Sequence, residues 1–321
     1  MKKFLIDTIA ILLIAVLLLI GINAAYVSLD NEETEIDKFT DIRSGIKVCN
    51  VGSSHGKNSL IYDDWQEEIN CFNFGLTAQR FQYDYRLIEY YSDYIDEGAV
   101  VLIPFSYFSL WGPIDVENDE FKSMNNRYYN ILPPKYIIDY ELWVDVCQHY
   151  IPVLSAYDKV IDAFKDAVVG EGTNEAFYDT SIDLYEDAKE SYVSQIAANK
   201  DAEGNSMLNL EREAALYDLI GYCKEQGYHP VLITTPFTDI YVEYVQKIDL
   251  DFVDIFYEKI DEIAKKAQIE YYDYSADSRL CHEHEYYIDA HHLNPEGGKI
   301  FTDIVIKEVV SKYIDDIFLN D

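Results

Sequence analysis

Positive charge is what this 321-residue chain has least of: 25 Lys plus Arg stand against 59 Asp plus Glu, a formal net charge of −34 spread along the chain rather than gathered in one tail. Such a field repels phosphate backbones, so nucleic acid is not expected as a partner, and a neutral or cationic one such as a glycan is easier to accept. Cysteine is also sparse. Cys49, Cys71, Cys147, Cys223 and Cys281 form no Cys-x-x-Cys pair, which argues against a zinc ribbon and against a disulfide-dense scaffold. Cys49 and Cys71 fall in strand-like runs and read as core residues, and an odd count leaves at least one thiol unpaired or paired between chains. There is no internal repeat, no low-complexity tract and no His-Glu-x-x-His helix. What is abundant is apolar residues, 49% of the chain, which excludes a disordered protein and provides core enough for one large domain or two ordinary ones.

The longest apolar stretch lies at the N-terminus. Lys2 and Lys3 precede Thr8 to Ile22, and the run continues through Ala24, Ala25, Tyr26 and Val27. Roughly 20 residues at about 1.5 Å each span a bilayer core, so residues 1–28 are expected to form a membrane anchor that contacts the bilayer through residues 4–27. A cleaved signal peptide is the competing reading, against which Asn23-Ala24-Ala25 makes a poor small-residue cleavage site. Lys2 and Lys3 before the span, against Asp30, Glu32, Glu33 and Glu35 after it, orient the N-terminus to the cytoplasm. The expectation is a single-pass protein of the cell membrane whose C-terminal domain is extracytoplasmic.

After an acidic linker, residues 29–44, short apolar runs alternate with helical patterns. Strands are expected at Gly45 to Val51, Ile69 to Phe74, Ala99 to Phe105, Pro230 to Phe237 and Ile269 to Ser275, and helices near Gln79 to Ile95, Leu208 to Gln226, Phe252 to Gln268 and Pro295 to Ile317. The run Ala99 to Phe105 is apolar without alternation, as in a parallel strand buried on both faces. This rhythm predicts a three-layer α/β/α domain over residues 45–321 with a parallel sheet, whose ligand site lies beyond the carboxyl ends of the strands. It breaks between about 111 and 206, a stretch too long for a plain loop. A helical insertion is expected there, with helix-like pieces at Val153 to Val169 and Ser181 to Ala198.

Two segments carry chemistry. Asn50 to Ser59, NVGSSHGKNS, follows the first strand and sets two serines and a histidine between two glycines. Such residues also fill ordinary turns. Near the other end, Asp289 stands three residues before His292, just ahead of Pro295 and the last helix. That spacing lets a carboxylate hold one imidazole nitrogen while the other faces outward. A serine becomes a nucleophile only with such a base, an orienting third group and donors for the oxyanion.

Taken together, Gly52-Ser53-Ser54-His55 after the first strand and Asp289-Ala290-His291-His292 after the last resemble the SGNH/GDSL hydrolase superfamily, over about Gly45 to Leu110 and Leu208 to Lys312. The resemblance implies Ser54 as nucleophile, His292 as base and Asp289 as its orienting partner, with the backbone N–H groups of Ser54 and Gly75 in the oxyanion hole. The superfamily's Gly-x-Asn-Asp block after the third strand is missing. Ile103 to Ser109 stands there without an asparagine, and the Ser106 hydroxyl is the expected replacement donor. Gly-Ser-Ser in a membrane-anchored extracellular chain is most similar to the teichoic-acid D-alanylation transfer proteins and the acetyl-transferring proteins of exopolysaccharide assembly. The implied activity is ester hydrolysis or acyl transfer on an acylated glycan or envelope polymer, without cofactor or metal. The alternatives are a catalytically silent domain of the same fold that binds glycan or a partner protein, and a zinc site drawn from His282, His284, His291, His292, Glu283, Glu285 and Asp289. His55 reads either as a pocket residue or as neutral packing, and some of the 29 tyrosines as carbohydrate-stacking platforms.

Overall fold

The computed structural model describes residues 2–29, 35–112, 124–125, 127–151, 153 and 182–314. Most of the expected helix Val153 to Val169, and residues 30–34 of the expected linker, lie outside the described residues. The chain divides into two compact units, Met1–Phe39 with Asp119–Phe177, and Thr40–Asn118 with Tyr178–Asp321.

In the first unit, helix α1 (Lys2–Leu29) contains one segment, Lys3–Tyr26, long and apolar enough to cross a membrane, with a mean hydropathy of 2.9. Its length and composition fit a membrane anchor or a signal sequence. Its one amide, Asn23, donates through Nδ2 to the Tyr150 carbonyl at 3.0 Å, at the end of a short helix, Leu142–Tyr150.

The second unit is built on a five-stranded sheet in the order β2-β1-β3-β4-β5, parallel throughout. Its strands are β1 (Ile46–Asn50), β2 (Cys71–Asn73), β3 (Ile95–Pro104), β4 (His229–Thr234) and β5 (Tyr271–Asp273). Helices cover both faces. Val48, Val100, Leu102, Val231 and Ile233 pack with Phe301, Val305 and Val309 at the C-terminal end of the chain, whereas the intervening Cys49 faces the other way, beside Cys223. This period of two is why β1, β3 and β4 read as unbroken apolar runs: each face buries its own half of the side chains. All five cysteines are free thiols.

The helices of this unit are α2 (Ser54–Ser59), α3 (Phe81–Tyr90), α4 (Leu184–Gln195), α5 (Leu210–Glu225), α6 (Asp239–Ile248), α7 (Leu250–Ala267) and α8 (Pro295–Glu308). Four differ from the pattern-based expectation, the first being α2 itself, which forms within the stretch read as a turn. The helix expected over Gln79 to Ile95 ends at Tyr90, and Ile95 already pairs with Ile46 in the sheet. Helix α6 occupies sequence that follows the expected strand Pro230 to Phe237. The strand itself stops at Thr234, and Thr238 caps α6 by accepting the Tyr241 N–H at 3.2 Å. Helix α8 ends at Glu308, followed by a single tight turn, Val310–Lys312.

Two contacts set up the functional end of the sheet. Trp111 bridges to Leu208 and its carbonyl accepts from Arg212 Nη1 at 2.9 Å, which ties the chain beyond β3 to the start of α5. Helices α2 and α8 approach so closely that a Cβ on Gly298 would lie 2.4 Å from the Asn58 carbonyl oxygen. Only glycine permits that approach, and it draws the start of α8 onto the turn that follows β1.

Candidate active site

The site lies past the carboxyl ends of the strands, where parallel α/β sheets bind ligands. Chain direction turns sharply after β1. Gly52 takes φ +105°, a value that strains any residue with a Cβ, and a Cβ there would lie 3.3 Å from Pro104. Ser53 precedes α2 as its N-cap without making a side-chain cap bond, and Ser54 is the first residue of the helix. Its N–H therefore belongs to the first turn, whose donors have no acceptor within the helix.

Ser54 meets the C-terminal loop directly. Its Oγ is 2.8 Å from His292 Nε2, and His292 Nδ1 is 2.7 Å from Asp289 Oδ2. The other carboxylate oxygen, Oδ1, accepts the backbone N–H groups of His291 at 2.9 Å and His292 at 2.8 Å. Burial pushes this carboxyl up, but the His292 hydrogen bond, the neighbouring His291 and the backbone donors outweigh it and hold Asp289 well below the usual carboxylate range. Asp289 is thus an anion that can only accept, which places the His292 proton on Nδ1 and leaves the Nε2 lone pair facing the serine. His292 and Asp289 are 17% and 23% exposed, so a small molecule can reach them.

The loop bearing Asp289 and His292 is clamped from three sides. Ile288 N–H donates to the His292 carbonyl at 2.9 Å, and the Thr238 hydroxyl donates to the Ala290 carbonyl at 2.7 Å. Asp187, on α4 within the interrupting segment, accepts the Ala290 N–H at 2.8 Å. Asn294 then caps α8 by accepting from Glu296 and Gly297, with Pro295 at the first helical position, where its missing N–H costs nothing.

The remaining residues singled out in the sequence are placed differently. Gly75 N–H donates to Asn73 Oδ1 at 2.8 Å, so this donor is engaged within the turn after β2. Glycine is needed there because a Cβ would lie 2.8 Å from the Lys57 nitrogen. Ser106 Oγ lies 2.5 Å from His55 Nδ1. The histidines expected as zinc ligands fall into two sets. His282 Nδ1 and His284 Nε2 each lie 2.7 Å from a different oxygen of Asp239, and Glu283 and Glu285 are exposed. His291 and His292 group instead with His55, their ligand atoms within 4.8 Å of one another. All six ring nitrogens of that trio are engaged by hydrogen bonds: His292 with Asp289 and Ser54, His291 with His55 and Gln195, and His55 with His291 and Ser106. A metal would have to displace several of these bonds.

Asp84, to which no sequence signal pointed, stands behind the turn at Gly52. Its Oδ1 accepts the Gly52 N–H at 2.9 Å and Gln79 Nε2 at 2.6 Å, at 1% exposure, and it lines a small cleft with Ser53, Phe108 and Ser109. Burial pushes its carboxyl up to about 7, against those two bonds. In the unfolded chain it titrates near about 4. Across that interval the folded protein keeps a proton that the unfolded chain has lost, so this group's contribution to stability falls as pH rises from about 4 to about 7. Asp84→Asn stays neutral throughout. Its unfolding free energy is expected to gain steadily on wild type over that window, with a slope approaching about 1.4 kcal/mol per pH unit, and its Tm to rise relative to wild type in step; parallel curves of Tm against pH would disprove the account.

No family model matches this sequence, and no curated protein matches it. Among solved structures, the chain is similar to a "putative acylhydrolase" from Bacteroides fragilis, at 10% sequence identity and a TM-score of 0.37, with 88% of this chain and 98% of that one covered.

Proposed function

We propose that this chain is a serine esterase or acyltransferase of the SGNH type, held at the membrane by α1, whose second unit acts outside the cytoplasm on acyl groups of an envelope polymer or polysaccharide. The observation that carries the reading is the continuous relay from Ser54 Oγ through His292 to Asp289. Ser54 Oγ attacks the acyl carbonyl while His292 Nε2 takes its proton, and Asp289 stabilises the resulting imidazolium. Collapse of the tetrahedral intermediate expels the alcohol, which recovers the proton from His292, and leaves acyl-Ser54. Water or a sugar hydroxyl then gives its proton to His292 and takes the acyl group, restoring the serine. The Ser54 N–H and the Ser106 hydroxyl are the donors for the oxyanion, a role for which the engaged Gly75 N–H is less suited. No cofactor enters this scheme. The membrane placement rests on the length and apolarity of α1 and on the charge asymmetry around it.

The test is covalent. An organophosphonate that phosphonylates activated serines is expected to add once per chain, at Ser54, as read by intact and peptide mass spectrometry; a chain left unlabelled is a silent domain that binds glycan or a partner protein. Placement is tested separately. Protease added to intact cells is expected to digest the second unit and leave a membrane-embedded fragment that begins at Met1, and a released chain starting near Tyr26 would show a cleaved signal instead.

A further inference from the structure

The missing third-block asparagine leaves the Ser106 hydroxyl to act on the oxyanion, but a hydroxyl rotates, and presented by its lone pairs it would repel the charge it should stabilise. A buried chain of hydrogen bonds determines which way it points. The Tyr241 hydroxyl donates to Gln195 Oε1 at 3.2 Å, which leaves Gln195 Nε2 3.1 Å from His291 Nε2. An amide nitrogen can only donate, so His291 Nε2 is the bare nitrogen of that ring. Its single proton sits on Nδ1, 2.9 Å from His55 Nε2, which must accept. His55 therefore carries its own proton on Nδ1 and donates it to Ser106 Oγ at 2.5 Å. The Ser106 proton is then left to be donated elsewhere.

Each link depends on the imidazoles staying neutral, since a cation would donate from both nitrogens and erase the direction. His55 and His291 are 1% and 6% exposed, and both are pushed well down, first by burial and then by His292 beside them. The His55 ring that bonds to Ser106 Oγ also meets the His292 ring edge-on, at 4.7 Å between centroids, so a single ring separates Ser106 from the histidine that holds Ser54 Oγ.

We infer, resting on the reading of Ser54 as the acyl-carrying nucleophile, that the chain Tyr241–Gln195–His291–His55 is a one-directional relay of positioning residues that keeps the Ser106 hydroxyl a donor toward the acyl oxygen. Gln195 lies on α4, so the segment that interrupts the α/β rhythm supplies the residue that sets the polarity of the whole chain.

Replacement of Gln195 by its acidic isostere separates this role from packing. An ionised carboxylate can only accept, so Gln195→Glu reverses every link: His291 protonates on Nε2, His55 on Nε2, and Ser106 must donate to His55. In the wild-type full chain, 15N NMR of the histidine rings is expected to show both His55 and His291 protonated on Nδ1, and in Gln195→Glu both on Nε2. With p-nitrophenyl acetate, kcat in Gln195→Glu is expected to fall about 10²-fold or more, the loss typical of one oxyanion donor, with KM little changed. Ser106→Ala is expected to match that loss, and the double variant to add nothing further. A wild-type His55 protonated on Nε2 overturns the relay whether or not the variant folds. So does reversal of the tautomers without loss of kcat, or a double variant whose losses multiply. Failure of the organophosphonate to label wild-type Ser54 would instead remove the serine reading itself, a result independent of the tautomers.

Discussion

Ser54→Ala is expected to eliminate organophosphonate labelling and to lower acyl turnover by roughly 10⁶-fold, the scale of loss when a serine nucleophile is removed, while leaving the Tm within a degree or two of wild type, about the size of a small surface effect. Both halves follow from what the side chain touches. Among the described residues its hydroxyl bonds to His292 Nε2 alone, and Ser54 is partly exposed at the start of a short helix, so alanine opens no cavity and strands no buried partner. Ser53→Ala is the matched control. Ser53 is the N-cap of α2, yet its side chain makes no cap bond, so its loss is expected to leave turnover within about threefold of wild type. Full activity in Ser54→Ala, or its loss in Ser53→Ala alone, would reassign the nucleophile.

The second large effect concerns Asp289. Asp289→Asn is expected to lower kcat by about 10⁴-fold, as loss of the orienting carboxylate does in serine hydrolases. The cause here is the direction of one hydrogen bond. Backbone donors from His291 and His292 hold Oδ1, so the asparagine carbonyl would stay on them and its NH₂ would face His292 Nδ1. An amide donor at Nδ1 forces the imidazole proton onto Nε2, where it blocks uptake of the Ser54 proton. EDTA is expected to have no effect, and the double change His282→Ala/His284→Ala is expected to retain near wild-type turnover, because those rings partner Asp239 rather than Ser54. Activity that survives Asp289→Asn but is lost with EDTA or with the double histidine change would replace the serine mechanism with a metal one.

Much of the architecture was legible because the signals that encode it are local. The unbroken apolar runs at β1, β3 and β4, the helical periodicities at α5, α7 and α8, and the apolar length of α1 each lie within a window of twenty residues or so. Boundaries were less legible. Helix α3 stops and β3 begins within a stretch where both helical and strand patterns are weak, and the choice between them falls to the pairing of Ile95 with Ile46. Helix α6 was missed because Thr234 to Phe237 continues the apolar character of β4 beyond the point where a neighbouring strand exists to pair with it: β5 pairs β4 only through Thr234.

The candidate site divides along the same line. The sequence singled out the two poles of the relay, Ser54 after the first strand and Asp289 with His292 ahead of the last helix, through their joint resemblance to the first and last blocks of the SGNH/GDSL superfamily; taken separately, each stretch also reads as an ordinary turn. It also determined that β3 is followed by no asparagine. Tertiary structure alone decided what surrounds those poles: that His55 and His291 join in a buried neutral pair, that Gln195 and Asp187 arrive from a helix roughly a hundred residues upstream to hold the C-terminal loop, and that Asp84 supports the turn at Gly52. It also decided that Gly75 lends its lack of a side chain rather than a free N–H. The physical reason is that hydrogen-bond partners across a domain are selected by distance and direction once the sheet, α2 and α8 have packed. No periodicity, composition or spacing along the chain carries that information.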